Sequence, residues 1–162
     1  MRSPALVAGH PEILDLLNEV LTSELTAVNQ YFAHAKLQDH WGYGRLGTHS
    51  RDESLEEMRH AEAAIERILY LEGVPNLQRL GAVKVGETVP EQLRLDLDLE
   101  IEALALYRRG IVLSERLEDH GTRELLVGLL RDEEKHADWL ETQLTLIESL
   151  GEAHYLSQQL YG

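Results

Sequence analysis

Two Glu-x-x-His pairs, Glu57 with His60 and Glu133 with His136, constrain this chain more than any other feature of its sequence. Residues three apart share one face of an α-helix, so each pair aims a carboxylate and an imidazole in one direction. The pairs are 76 residues apart, and the same offset separates Glu24 from Glu100 and Tyr31 from Tyr107. Most other positions do not match at that offset, so the internal repeat is concentrated on residues that carry chemistry. A lone Glu-x-x-His arises easily in a chain with 29 acidic residues. Two of them, each with a further Glu at a matched distance, call for a fold built from two equivalent halves.

The carboxylates fall where a helix carries its apolar stripe. Glu24 has Leu17, Val20, Leu21, Ala27, Val28 and Tyr31 at helical neighbour spacings. Glu100 has Leu93, Leu97, Ala103, Leu104 and Tyr107, and Glu133 has Leu126, Leu129, Leu130, Ala137 and Leu140. These stripes should face a core. A buried carboxylate without a partner costs several kcal/mol or takes up a proton, so the set needs cations to balance it.

The periodicity predicts four long helices. The first runs from about Pro11 to Trp41 and is broken by Gly42-Tyr43-Gly44. The second runs from about Arg45 to Glu72 and stops at Gly73-Val74-Pro75, since glycine suits the residue after a helix and proline cannot continue one. A stretch without helical periodicity follows, 74–87. Thr88-Val89-Pro90-Glu91 opens the third helix with a capping-box pattern, and this helix reaches about Asp119. His120-Gly121 reads as a turn, the fourth helix spans about Thr122 to Leu150, and Glu152 to Leu160 forms a short fifth. Short turns make antiparallel hairpins of helices one and two and of helices three and four. The longer middle segment carries the chain back along the bundle. The fold class is therefore all-α: a four-helix bundle with one long crossover and a short C-terminal helix, the connectivity of ferritin-like folds.

Hairpin geometry brings the two sets to one level. The midpoint of Glu24 and Glu57 falls near Trp41, beside the first turn, and that of Glu100 and Glu133 near Leu117, close to the second. Six inward ligands then converge: Glu24, Glu57, His60, Glu100, Glu133 and His136. Ligation rich in oxygen and poor in nitrogen suits non-haem iron or manganese better than zinc or copper.

Composition narrows the alternatives. With no cysteine, thiolate zinc and rubredoxin-type iron centres are excluded. A formal net charge of −14 disfavours nucleic acid and anionic membrane as partners and favours cations. No apolar run approaches a membrane span. Residues 1–10 read as a loose leading segment, too weakly apolar for a secretory signal, ahead of a di-metal domain over 11–162; the expectation is a cytoplasmic protein.

At these residues the chain resembles the bacterioferritins, the haem-containing ferritins of bacteria. The resemblance runs from about Gly9 to Leu160 and is most specific at 24–32, 52–61, 71–78 and 131–141. It implies a cytoplasmic homo-oligomeric cage of twenty-four subunits that stores ferric mineral and detoxifies iron. It implies a ferroxidase reaction, Fe²⁺ oxidised by O₂ or H₂O₂ at an intra-subunit di-iron centre, and it leaves room for a ferredoxin-type electron donor in iron release. By the same resemblance Glu57 and Glu133 bridge two ions, Glu24 with His60 and Glu100 with His136 complete them, and Tyr31 stands nearby. Met58 matches the methionine that ligates haem b across a subunit two-fold. One residue beyond the inward Glu57, it points about 100° away, toward the outside.

The chain also departs from the pattern. A histidine that helps bind an additional inner-surface iron in several bacterioferritins is missing, and Asp52 and Glu56 stand in that region. His34, His40, His49 and His120 read as surface or turn residues and Trp41 and Trp139 as packing residues, while the resemblance implies a place for His154 at a four-fold channel. Two other readings stay open: a manganese catalase or oxygenase on the same bundle, for which 162 residues leave little room, and a haem-binding or structural cage subunit without fast ferroxidase activity.

Overall fold

A computed structural model describes residues 8–161. Pro11 opens helix α1, Pro11–His40, with the His10 side chain accepting from the Glu12 amide as its N-cap. Proline suits this position because its missing N–H would be unpaired there anyway. Helix α2 is Gly44–Tyr70 and α3 is Val89–Arg116. The Thr88 side chain caps α3 by accepting from the Glu91 amide, while the Glu91 carboxylate accepts from the Glu87 amide. Helix α4 is His120–Leu150 and α5 is Glu152–Ser157. At the break between them Gly151 has φ +85°, a conformation open to glycine at little cost.

The described residues contain no strand. Helices α1 and α2 pack as one hairpin and α3 and α4 as another, with α1 also against α3. His120 and Gly121, expected in a turn, belong to α4 instead. The turn sits earlier because the Asp119 side chain accepts from the Thr122 amide and hydroxyl and starts the helix there. The expected leading segment lies outside the described residues over 1–7; beyond it, the Gly9 amide donates to the Leu71 carbonyl.

The interior changes character along the bundle. Leu17, Leu21, Ala61, Ala64, Tyr107, Leu126 and Leu129 belong to an apolar cluster at the end where α1 begins. Leu46, Val89, Leu93, Leu140 and Tyr155 form a second at the opposite end. The carboxylates and histidines lie between them.

The crossover is held by a row of polar side chains on α1 spaced four residues apart. Asn18 accepts from the Asn76 amide, Thr22 from the Arg79 side chain, Thr26 from the Gly81 amide, Gln30 from the Lys84 amide and His34 from the Gly86 amide. His34, expected at the surface, is fully buried. Its Nε2 accepts from Gly86 while Nδ1 lies 2.9 Å from Asp96 Oδ1, which leaves Nδ1 as the donor. Gln30 also donates to that oxygen. A side chain at Gly86 would meet the backbone nitrogen of Gln92 at 2.6 Å, so the crossover passes here only as glycine.

Candidate metal centre

Each helix contributes to one buried cluster because each places a carboxylate in register with its apolar stripe. Glu24 lies on α1, Glu57 and His60 on α2, Glu100 on α3, and Glu133 and His136 on α4. All six are buried.

The cluster divides into two overlapping sets of four, each with ligand atoms within 4.8 Å of one another. One is Glu24, Glu57, His60 and Glu133; the other is Glu57, Glu100, Glu133 and His136. Glu57 and Glu133 are common to both, and each set has one further carboxylate and one imidazole of its own.

Both histidines turn Nδ1 inward. His60 Nδ1 lies 3.0 Å from Glu133 and 3.4 Å from Glu24, and His136 Nδ1 lies 3.0 Å from Glu57 and 3.4 Å from Glu133. These approaches miss hydrogen-bonding geometry, so both Nδ1 atoms, both oxygens of Glu24 and of Glu133, Glu57 Oε1 and Glu100 Oε2 are buried without a hydrogen-bond partner among the described residues. Orphaned polar atoms at this density are costly unless something else satisfies them. Carboxylate oxygens and neutral imidazole nitrogens aimed at shared points fit divalent cations.

The outward nitrogens are anchored. His60 Nε2 pairs with Asp132 at 2.9 Å, and His136 Nε2 pairs with Glu56 at 3.0 Å and lies 2.7 Å from Glu53. A proton held on Nε2 leaves the Nδ1 lone pair free for a cation. Glu53 and Asp132 were not anticipated from the sequence. Glu53 lies one turn before Glu57, and Asp132 directly precedes Glu133, so i−4 spacing on α2 was a usable signal for the first. Asp52, weighed with Glu56, is exposed and in neither group, whereas Glu56 sits in two smaller acidic groups, with Glu53 and His136 and with His60 and Asp132.

Electrostatics divide the four carboxylates. Burial pushes Glu24 up and, with the charge of Glu24 beside it, Glu57 well above the carboxylate range. Burial also opposes ionisation of Glu133, yet His136 and His60 beside it more than offset this and hold it down at about 2. Burial alone would lower both imidazoles; the carboxylates around them, Glu133 first, raise both instead. Protons on these groups thus supply the positive charge that the carboxylates require.

Tyr31 is buried and donates to Glu100 Oε1 at 2.6 Å. Burial and the charges of Asp96 and Glu57 push its phenol well up, so it stays a donor. Met58 is 45% exposed on the outside of α2, as its place beside Glu57 requires. His49 is half-buried and stacks on Trp139 with ring centres 3.5 Å apart, which corrects its reading as a plain surface residue. Trp139 packs against the second apolar cluster, whereas Trp41, expected to pack, is exposed where α1 ends. His40, His120 and His154 are exposed.

Known proteins resemble this chain along most of its length. The family model for the ferritin-like domain matches residues 14–150. Bacterioferritin BfrA of Mycobacterium tuberculosis is 50% identical over 150 residues, 93% of this chain and 94% of the relative. The bacterioferritin of Streptomyces coelicolor is 52% identical over 92% of this chain and 89% of its own, and that of Brucella melitensis 44% over 91% of each.

Proposed function

The chain belongs to the bacterioferritin family of ferritin-like proteins, and from that membership we propose that it stores and detoxifies iron, oxidising Fe²⁺ at a di-iron centre made by Glu24, Glu57, His60, Glu100, Glu133 and His136. The observation that carries this reading is the pair of four-ligand sets sharing Glu57 and Glu133. Two Fe²⁺ ions are the substrate. Glu57 and Glu133, common to both sets, would be shared by the two ions, Glu24 and His60 would hold one, and Glu100 and His136 the other. Four carboxylates balance the charge of two Fe²⁺ ions and favour the more highly charged product. Each Fe²⁺ gives up one electron, and the pair of electrons with two protons reduces H₂O₂ to two waters or O₂ to H₂O₂.

The residues prepare this step before iron arrives. Asp132 and Glu56 fix the two imidazoles by Nε2, and Tyr31 holds Glu100. Burial within the bundle excludes bulk water and strengthens every charge interaction at the centre.

Haem b is the second group that the family implies. Met58 and Leu55, at 45% and 42% exposure one turn apart on α2, form an outward apolar strip. Met58 is the chain's single methionine besides Met1, so a thioether donor exists there and at no other described residue. These residues fit a haem shared by two subunits, which Met58 of each would hold through its thioether sulfur. Such a haem supplies a route for electrons between the cage exterior and its contents.

The cage of about twenty-four subunits, a count that comes from the family, is tested by loading the protein aerobically with Fe²⁺ in excess of two per subunit. The iron should stay soluble and co-elute with the assembled particle. Ferric hydroxide precipitating away from a dimeric or monomeric protein would overturn the storage reading.

A further inference from the structure

We infer that Tyr107 is a positioning residue of the metal centre, donating its phenol hydrogen bond to Glu24 when that carboxylate ligates a cation, as Tyr31 donates to Glu100. The inference rests on the di-metal reading above and adds a residue to it.

Tyr107 is fully buried, and its hydroxyl has no hydrogen-bond partner among the described residues. An orphaned phenol in an apolar layer is unfavourable, since phenylalanine would fill the same space without burying a polar atom. Its place is shared with Leu17, Leu21, Ala61, Ala64 and Leu129, the layer on the α1-start side of the centre. Three residues of that cluster are alanines, Ala61, Ala64 and Ala103, which take little volume beside the ring.

Tyr31 lies on the other side of the centre, and the internal repeat relates the two. Tyr31 follows Glu24 by seven residues and Tyr107 follows Glu100 by seven. Seven residues are two helical turns, about 10 Å of rise. Side chains on a helix lean toward its N-terminus, so each tyrosine leans back toward the level of its own helix's glutamate. Tyr31 does this and reaches across to the glutamate of the other hairpin, Glu100, at 2.6 Å. Exchanging the two halves turns that contact into Tyr107 with Glu24.

The partner groups match. Glu100 has one oxygen satisfied by Tyr31 and one orphaned, whereas both oxygens of Glu24 are orphaned. One half of the centre therefore lacks a donor, and among the described residues the one buried phenol without an acceptor lies in the adjoining layer. Glu24 lies 3.4 Å from His60 Nδ1. A cation held between Glu24 and His60 would take one Glu24 oxygen and leave the second for the phenol.

The test uses the full-length protein, freed of metal and titrated without oxygen with Co²⁺, then Zn²⁺, in the wild type, Tyr107→Phe and Tyr31→Phe. Tyr107→Phe should weaken one of the two Co²⁺ binding steps roughly ten-fold, the scale of a hydrogen bond to a charged group, and Tyr31→Phe should weaken the other. Zn²⁺ loading should give a tyrosine difference spectrum with two contributions, one lost in each variant. Metal-free Tyr107→Phe should melt at the same temperature as wild type or higher, which separates a binding role from a packing role. Two unchanged Co²⁺ steps and an unchanged difference spectrum in Tyr107→Phe would overturn the assignment while leaving the di-metal centre standing. A wild type that binds no Co²⁺ would overturn both.

Discussion

His60 and His136 face one another across the centre with their rings 19° from parallel and 6.4 Å apart. Burial would lower both, but the carboxylates between them keep both protonated above the ordinary histidine value of 6.5. Glu57 likewise holds a proton above the ordinary 4.5, through burial and the neighbouring charge of Glu24. A cation that ligates these atoms displaces their protons, so loading near neutral pH releases acid and apparent affinity rises with pH. Groups whose folded pKa is raised stabilise the fold below their unfolded value and lose that contribution as pH climbs. The melting temperature of metal-free protein should therefore fall as pH rises above about 6.5, while the Zn²⁺-loaded protein does not follow it. A pH-stat titration with Zn²⁺ checks the first half, and loading without proton release would contradict it.

Asp132 acts on the centre through His60 Nε2. Asp132→Ala should leave the helices intact and weaken Co²⁺ binding by about ten-fold, the lower end of what such supporting partners contribute, because Asp132 is partly exposed. Affinity equal to wild type in a calorimetric titration would show that His60 needs no anchor.

The crossover clamp predicts a different outcome. His34→Ala removes a buried partner from both Asp96 and the Gly86 amide. About 2–3 kcal/mol of stability should be lost, the scale of leaving such groups unpaired. Denaturant unfolding of the metal-free protein measures this, and a change below about 0.5 kcal/mol would mean that the clamp holds nothing.

Met58→Leu keeps volume and apolarity and removes the sulfur. It should abolish haem absorption, expected at one haem per two subunits from the two-fold arrangement, while leaving assembly and iron oxidation unchanged. Normal haem content in the variant would remove Met58 as the ligand.

The six candidate ligands were legible because two signals coincide at them, helical spacing and an offset of 76 residues, and the hairpin geometry then brings both sets to one level. Met58 was legible in direction alone, from its place next to Glu57. The clamp was less visible. Asn18, Thr22, Thr26, Gln30 and His34 recur every fourth residue, yet polar side chains at that spacing also describe a solvated face. Only the path of the crossover, whose amides need acceptors, turns that face inward. Asp119 displaced the second turn from its expected place because a single side chain accepting two hydrogen bonds outweighs the glycine at 121. The orphaned phenol of Tyr107 cannot be read from any sequence, since partners are a property of packing.

Anaerobic titration with Fe²⁺ followed by a pulse of O₂ tests the central claim most directly. Wild-type protein should bind two Fe²⁺ per subunit, as two overlapping ligand sets require, and oxidise them in one fast phase. Glu57→Ala and His136→Ala should remain helical and lose that phase. Fast oxidation at two Fe²⁺ per subunit in both variants would contradict the account, because one variant lacks a carboxylate common to both ions and the other an imidazole of one.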